Sequence, residues 1–246
     1  MKHSLRLGLW VAFTALALSA CGAAGGEHQQ AEAQAKGRPL PEYSQASLPA
    51  GEYHTTEFEP SLSFRLTGGK WVFEGPSGTL GDPEHPDYLF IGKDLMAEIA
   101  FFNLRKLKGV YNPRGPAGKI EPMPAPGELV GWFRHHPYLE TSEPEPATVG
   151  GAKGVQFDVV TDLPKYYSGS GISIDDTCCV DIFALSSGGS SEVFYSKREA
   201  KKARYIILKD VKGVPVVIYY DQVAEDFDEF EPIAKKVLQS VEWTGT

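Results

Sequence analysis

Apolar and polar residues alternate with the period of a β-strand along much of the chain. Residues 53–58 and 62–66 alternate in this way on either side of a Glu-Pro step, which predicts two half-buried strands joined by a turn. Residues 88–91 and 97–104 predict a hairpin by the same pattern. Further strand-like runs are found at residues 71–73, 154–161, 179–185, 193–195, 204–208 and 214–220, with a Lys-Gly turn between the last two.

Two segments show the spacing of an amphipathic helix. Residues 128–136 place Leu129, Trp132 and Phe133 on one side, and Pro137 follows them. The C-terminal segment carries one apolar stripe, formed by Phe227, Phe230, Ile233, Ala234, Val237, Leu238 and Val241. A proline inside this stripe predicts either a kink or a new helix start. The elements together predict an α+β domain, a mainly antiparallel sheet flanked by a short helix and a C-terminal helix.

The N-terminus has the layout of a secretory signal peptide. Lys2 and Arg6 precede an apolar run that is shorter than the roughly 20 residues needed to span a bilayer. The run closes with Leu18-Ser-Ala-Cys21, which resembles the bacterial lipobox, in which the cysteine thiol is acylated and becomes the new N-terminus. We therefore predict a lipoprotein signal peptide at residues 1–20 and lipidation of Cys21. An ordinary secretory signal peptide with a chance cysteine is the alternative.

Composition divides the remaining chain into a tether and a domain. Residues 21–48 are rich in Gly, Ala and Gln and lack apolar periodicity, which predicts a flexible tether. An Ala/Gln-rich helix is the alternative, although the early glycines disfavour it. Residues 49–246 are predicted to form a single domain, long enough to bury a core without disulfide bonds. Acyl chains on Cys21 would then hold this domain on the outer surface of the cell membrane.

Net charge narrows the choice of partners. The formal charge is −8, and removing residues 1–20 takes away two basic residues and no acidic one, so the mature chain carries about −10. Nucleic-acid binding depends on clustered basic residues that neutralise phosphates, so we expect no nucleic-acid partner. The expected partners are the membrane, through the anchor, and a protein or small-molecule ligand whose identity the sequence leaves open.

The C-terminal part resembles a known group of proteins. Residues 227–243, preceded by the hairpin at 205–219, are similar to the ending of many uncharacterised bacterial cell-envelope lipoproteins and of PsbP-like domains. Residues 132–140 and 146–154 fit the same pattern of a short helix, a Val-Gly-Gly turn and a strand. The resemblance implies an antiparallel sheet flanked by helices and an accessory or binding role. It carries over no catalytic residue, because the matching positions are core and turn types.

The cysteines and histidines indicate no metal or cofactor site. Cys178 and Cys179 are adjacent, and they are interpreted as two structural thiols or, alternatively, as a strained vicinal disulfide. Neither has the spacing of a zinc site. His135 and His136 are neighbours on the first predicted helix, about 100° apart, so they cannot chelate one metal as an i, i+4 pair does. We expect helix-capping and surface roles for them.

Other motifs fail to match known catalytic patterns. Ser168-Gly-Ser-Gly171 lacks the frame of a nucleophile elbow, and Asp175-Asp176 lacks the alternating acids of a calcium loop. Tyr166-Tyr167, together with Trp132, is a candidate for a ligand platform, and packing in the core is the alternative role for Trp132.

One basic run stands out in this acidic protein. Residues 197–204 contain five basic residues and one acid, the bases being Lys197, Arg198, Lys201, Lys202 and Arg204. One interpretation is a solvated loop and edge strand, where lysines block unwanted strand pairing. The other is a contact with anionic phospholipid or with a cell-wall polymer.

These observations favour a membrane-anchored, extracytoplasmic lipoprotein with a non-catalytic binding or accessory role and no cofactor. The alternative is a cell-envelope hydrolase with a dispersed active site around His135, His136 and nearby acids.

Overall fold

The computed structural model describes residues 37–41, 46–55, 57–75, 88–93, 97–114, 119–161, 179–185, 190–194 and 201–245. The chain divides into two compact units, Met1–Ala31 and Glu32–Thr246, and the described residues all belong to the second. Cys21, Lys197 and Arg198 lie outside the described residues, and so do the signal peptide and tether up to residue 36.

The described chain contains strands and two helices, whose bounds are as follows. The strands are β1 (Arg38–Pro39), β2 (Ala46–Leu48), β3 (Gly51–His54), β4 (Leu62–Leu66), β5 (Trp71–Gly75), β6 (Tyr88–Lys93), β7 (Ala97–Asn103), β8 (Gly109–Tyr111), β9 (Ile120–Glu121), β10 (Leu139–Thr141), β11 (Glu145–Val149), β12 (Ala152–Thr161), β13 (Cys179–Ala184), β14 (Ser190–Phe194), β15 (Lys201–Val211), β16 (Val214–Val223) and β17 (Glu242–Trp243). The helices are α1 (Pro126–Arg134) and α2 (Phe227–Gln239).

Within the described residues these strands form three sheets. The central sheet has the order β10-β12-β15-β16-β7-β6-β5-β2, with β11 also paired to β12. The two smaller sheets have the orders β1-β3-β4-β17 and β14-β13-β8-β9. The strands pair antiparallel throughout, except that β1 runs parallel to β3. The predicted α+β class, a mainly antiparallel structure with two helices, is confirmed, and the sheets dominate.

The central sheet is buried on both faces. Along β16, Val216, Ile218 and Tyr220 enter one hydrophobic core, whereas Val217 and Tyr219 enter the other. One core lies beneath α2 and the sheet containing β4; the other lies beneath α1 and the sheet containing β13. A strand covered on both faces has no polar side, which explains the nearly continuous apolar run of β16.

The two helices dock through the apolar stripes that the sequence predicts. In α1, Leu129 and Phe133 are buried, and the helix begins at Pro126, two residues earlier than predicted. In α2, Phe230 and Val237 are buried, and the helix runs unbroken through Pro232. Asp228 and Glu229 lie in its first turn, where the helix dipole favours acids. None of the helices in the described part is long and apolar enough to cross a membrane.

The predicted tether does not extend to residue 48. Residues 38–39 pair with β3, and Ala46–Leu48 pairs with β5. Leu40 and Leu48 are buried in the core beneath α2. Burial of these two leucines stabilises the pairing of this segment with the sheets. The folded part therefore begins before the predicted boundary at residue 49.

The basic run also differs from its predicted setting. Strand β15 begins at Lys201, three residues earlier than predicted, and has β12 on one side and β16 on the other. The described part of the run is therefore in an interior strand, and the edge-strand interpretation is wrong for Lys201, Lys202 and Arg204.

Candidate functional site

Strand geometry divides the described part of the basic run between two faces. Successive side chains of a strand point to opposite sides of the sheet. Lys202 and Arg204 therefore lie on the face beneath α2, and Lys201 lies on the face beneath α1. Each of the three contacts a carboxylate within the domain. The run thus contributes to two separate polar clusters.

The first cluster, which we call the Arg204 network, joins α2 to the central sheet. Arg204 donates from Nε to Oδ1 of Asp158 at 2.5 Å and from a terminal nitrogen to Oδ2 at 3.0 Å, the two-pronged geometry that guanidinium favours. Its other terminal nitrogen contacts Glu231 of α2. Lys202 lies 3.1 Å from Asp158, and Lys235 lies 2.8 Å from Glu231.

Two aromatic rings, those of Tyr220 and Phe227, pack against this network. Tyr220 and Phe227 stack with ring centroids 5.7 Å apart. The ammonium of Lys202 lies 4.4 Å from the centroid of the Phe227 ring, within the range of a cation–π interaction. The Tyr220 hydroxyl accepts a hydrogen bond from Arg204 at 3.4 Å. The cations are therefore held by both charge and ring contacts.

The network keeps its carboxylates ionised. Burial by itself would raise the pKa of Asp158, but hydrogen bonds from Arg204 and Lys202 outweigh it and hold that pKa below its ordinary value. Burial would also raise the pKa of Glu231, but the hydrogen bond from Lys235 and the charge of Arg204 outweigh it and lower that pKa below its ordinary value. Burial raises the pKa of Tyr220, although the charge of Arg204 acts to lower it. At neutral pH, Asp158 and Glu231 are therefore negatively charged and the Tyr220 hydroxyl is neutral.

The second cluster lies on the opposite face and is more deeply buried. Lys201 lies 3.1 Å from Asp221, and their side chains are only 11% and 2% exposed. Asp221 is directly across from Glu98 on β7, and Tyr219 donates a hydrogen bond to Glu98. Burial raises the pKa of Tyr205 well above its ordinary value, and the charges of Asp221 and Glu98 raise it further. Burial likewise raises the pKa of Tyr219, with the charge of Glu98 adding to it, so both tyrosines remain protonated at neutral pH.

Sequence reasoning missed this second cluster. The sequence contains a signal for it, because Glu98 and Asp221 are acidic residues in strands that are mostly apolar. A carboxylate in a strand buried on both faces needs a donor or a cation nearby. Only the register of β7 with β16 brings the two acids together.

The two adjacent histidines occupy different environments. His135 is exposed beyond the end of α1, and its Nδ1 lies 2.7 Å from the carbonyl of Gly131, a capping contact. His136 is buried, with only 5% of its surface exposed, so the expected surface role is wrong for this residue. Its ring packs between Trp132 and Tyr138, at centroid distances of 5.1 and 5.9 Å. Trp132 therefore packs against the His136 ring.

The tautomer of His136 follows from one contact. The backbone N–H of Tyr138 donates to Nδ1 at 3.2 Å, so the neutral ring carries its proton on Nε2. Within the described structure, Nε2 has no hydrogen-bond partner. Burial, with a smaller contribution from the charge of Arg114, lowers the pKa of His136 to about 4. The imidazole is therefore neutral at pH 7.

A shallow polar groove lies where β4 meets β17 and the end of α2. It has a volume of about 230 Å³ and is lined by Glu52, Ser63, Phe64, Arg65, Ser240 and Glu242. Ser240 Oγ accepts the backbone N–H of Arg65 at 2.8 Å. An ion pair between Glu52 and Arg65 lies in its wall. Arg65 is therefore bonded to two other residues of the groove, Glu52 and Ser240.

Several sequence candidates fall in parts of the chain that the structure does not describe. Lipidation of Cys21, the tyrosine pair at 166–167, the serine–glycine segment at 168–171, the aspartates at 175–176 and Cys178 all lie outside the described residues. Cys179 is the first residue of β13. In the described part of the chain, no group of three or more His, Cys, Asp or Glu side chains is arranged to hold a metal ion.

Two solved structures are similar to this chain over most of its length. No protein-family model and no curated protein matches this chain. The crystal structure of LpqN, involved in cell envelope biogenesis of Mycobacterium tuberculosis, is 11% identical over 82% of this chain and 91% of that one, with a TM-score of 0.28. The solution structure of cyanobacterial PsbP from Synechocystis sp. PCC 6803 is 8% identical over 80% and 94%, with a TM-score of 0.35. Both TM-scores are low, so neither likeness establishes a function or a shared fold.

Proposed function

We propose that this protein is a lipoprotein, anchored through Cys21 to the outer surface of the cell membrane, that has a non-catalytic binding or accessory role in the cell envelope. The observation that carries the proposal is the sequence Leu18-Ser-Ala-Cys21 directly after a short positive start and an apolar run. Two or more acyl chains give a stable anchor where one chain alone is marginal.

The Arg204 network supports a non-catalytic role. A catalytic acid or base must reach a substrate and exchange a proton near the working pH. In the Arg204 network, Asp158 and Glu231 are instead held ionised by neighbouring cations and join α2 to the sheet. Their geometry is that of a structural ion-pair network.

The hydrolase alternative depends on the histidines. His136 is neutral and occluded at pH 7, whereas His135 is exposed. An activity screen of the purified chain on ester, amide and glycoside substrates separates the two functions. We expect no turnover that depends on either residue. Turnover lost in His135→Gln or His136→Gln, with folding unchanged, would favour the hydrolase and contradict our proposal.

Lipidation is tested by metabolic labelling with a fatty acid in the source cells or a bacterial host. We expect the wild-type chain to incorporate label and to sediment with membranes, and Cys21→Ser to do neither. Cys178→Ser is the matched control, because it removes a cysteine outside the lipobox and should leave labelling unchanged. Label in Cys21→Ser equal to that in the wild type would show that the anchor is elsewhere.

The basic run remains a proposed contact with an anionic surface. Lys201, Lys202 and Arg204 already pair with carboxylates, so replacing them by Gln also breaks the ion pairs of the domain. The cleaner test replaces Lys197 and Arg198 by Gln and measures binding of the non-lipidated chain to anionic vesicles at low salt. Unchanged binding would remove these two residues from the proposal.

A further inference from the structure

His136, just after the end of α1, has a buried imidazole in which, among the described residues, one ring nitrogen is hydrogen-bonded and the other is not. Nδ1 of His136 accepts the backbone N–H of Tyr138, which helps to turn the chain from α1 toward β10. Nε2 is a buried donor that no described group accepts. Nearby on β12, the buried hydroxyl of Thr161 has no partner among the described residues either, and Thr161 is the register partner of Leu139. Polar atoms left unsatisfied in this way lower the local stability of this corner of the domain.

The charged and titratable groups around the ring come from several elements. Arg114, from the segment after β8, donates to the carbonyl of His135 and is the cation that acts on the ring. His135 and Tyr138 flank the ring along the chain. Arg134, in the last turn of α1, is paired with Glu143 at 2.8 Å. The negative end of the α1 dipole favours a cation here, but Arg114 already provides one.

We propose that His136 is a pH-sensitive latch, whose protonation shifts the end of α1 and the segment leading to β10 toward opening away from the central sheet as the pH falls from 7 to 5. Two physical effects produce the release. Protonation puts a positive charge into an apolar site beside Arg114. It also makes Nδ1 a donor, so that Nδ1 and the Tyr138 N–H oppose each other where they now bond.

The size of the effect follows from linkage between protonation and opening. In the closed state the pKa of His136 is about 4, and in the open, solvated state it returns to its ordinary value of 6.5. The open state therefore binds the proton more tightly, and acid favours opening. Between pH 7 and pH 5 the opening equilibrium is expected to increase about 20-fold.

Hydrogen exchange of the full chain, corrected for the intrinsic effect of pH, tests the latch. We expect exchange of amides in residues 133–141 to increase about 20-fold relative to the intrinsic rate between pH 7 and pH 5. Amides of the β15–β16 hairpin serve as an internal reference, and they should not follow this change. In His136→Phe the pH dependence of residues 133–141 should disappear, whereas in His135→Gln it should persist.

Two outcomes would overturn the proposal: no pH-dependent exchange in the wild type, or the same dependence in His136→Phe. Where His136→Phe does not fold, the wild-type chain itself decides by NMR. We expect the ring of His136 to titrate near pH 4, together with the Tyr138 amide signal. A ring that titrates near its ordinary value of 6.5, or a Tyr138 amide that does not move with it, contradicts the latch.

Discussion

The two faces of the central sheet hold their helices by different chemistry. On one face, α2 combines an apolar stripe with the Arg204 network, in which Glu231 of the helix is bridged to Asp158 of β12. On the other, α1 inserts Phe133 against Phe157 and Tyr205, at ring centroid distances of 5.2 and 4.6 Å. A neutral histidine closes the end of α1. The packing of α2 therefore depends partly on ionised Asp158 and Glu231. The packing of α1 depends on His136 remaining uncharged.

Because of this difference, we expect the two faces to lose stability at different pH values. The pKa values of Asp158 and Glu231 are lowered, so their contribution to stability is present above the ordinary carboxyl pKa and is lost as pH falls through the lowered values. The pKa of His136 is also lowered, to about 4, so stability is lost as pH falls from 6.5 toward 4. The α1 face should respond to acid first.

The largest expected effects come from the aromatic anchors. Phe133→Ala and Phe230→Ala should each reduce the free energy of unfolding by about 3–5 kcal/mol, because each leaves a cavity in a different core. Urea denaturation of each variant checks this. Ile120→Ala is the control, since Ile120 is 42% exposed and should change stability by less than about 0.5 kcal/mol. A cost below about 1 kcal/mol at Phe230 would mean that α2 does not close a core.

The second prediction concerns the histidine and distinguishes the two faces by pH. Between pH 7 and pH 4 the wild-type chain should lose about 3 kcal/mol of unfolding free energy through His136, and His136→Phe should not show this part of the loss. Denaturation curves at intervals across this pH range measure it. His135→Gln should behave as the wild type. Parallel pH profiles for wild type and His136→Phe would assign the loss to other groups.

The third prediction concerns the ion-pair network. Arg204→Met should cost about 2 kcal/mol, because it removes the bridge between Asp158 and Glu231 while Lys202 and Lys235 still partly compensate them. Thermal or urea unfolding at pH 7 provides the measurement. Arg65→Met is a matched control, since the Arg65 side chain is 58% exposed and its ion pair is solvated. Equal losses in the two variants would indicate that the network contributes no more than a surface pair.

The smallest effect is expected at the outer edge of the network. Lys235→Ala removes an ion pair with Glu231 one helical turn away, from a side chain that is 49% exposed. The cost should be about 0.3–0.5 kcal/mol and should decrease with added salt. Unfolding at low and high ionic strength checks both. A cost above about 1 kcal/mol would show that Lys235 supports the charge of Glu231 more strongly than its exposure indicates.

Local patterns in the sequence predicted the elements well. The two apolar stripes identified both helices, and the Lys-Gly turn after β15 identified its hairpin with β16. Patterns failed where an element is short or where long-range pairing decides. β1 and β2 contain too few residues to show a period, and only their pairing with β3 and β5 defines them. The basic run looked exposed because a sequence of alternating side chains does not show which carboxylates face it.

The sequence by itself determined the features that depend on neighbouring residues: strand and helix periods, turns and the apolar face of α2. Tertiary structure alone decided the features that depend on distant residues. Asp158 and Glu231 are 73 positions apart in the chain, yet Arg204 joins them. His136 is buried because α1 lies against the sheet, although its neighbour His135 is exposed. Burial and charge compensation are properties of the packed chain, and they set which groups are ionised at a given pH.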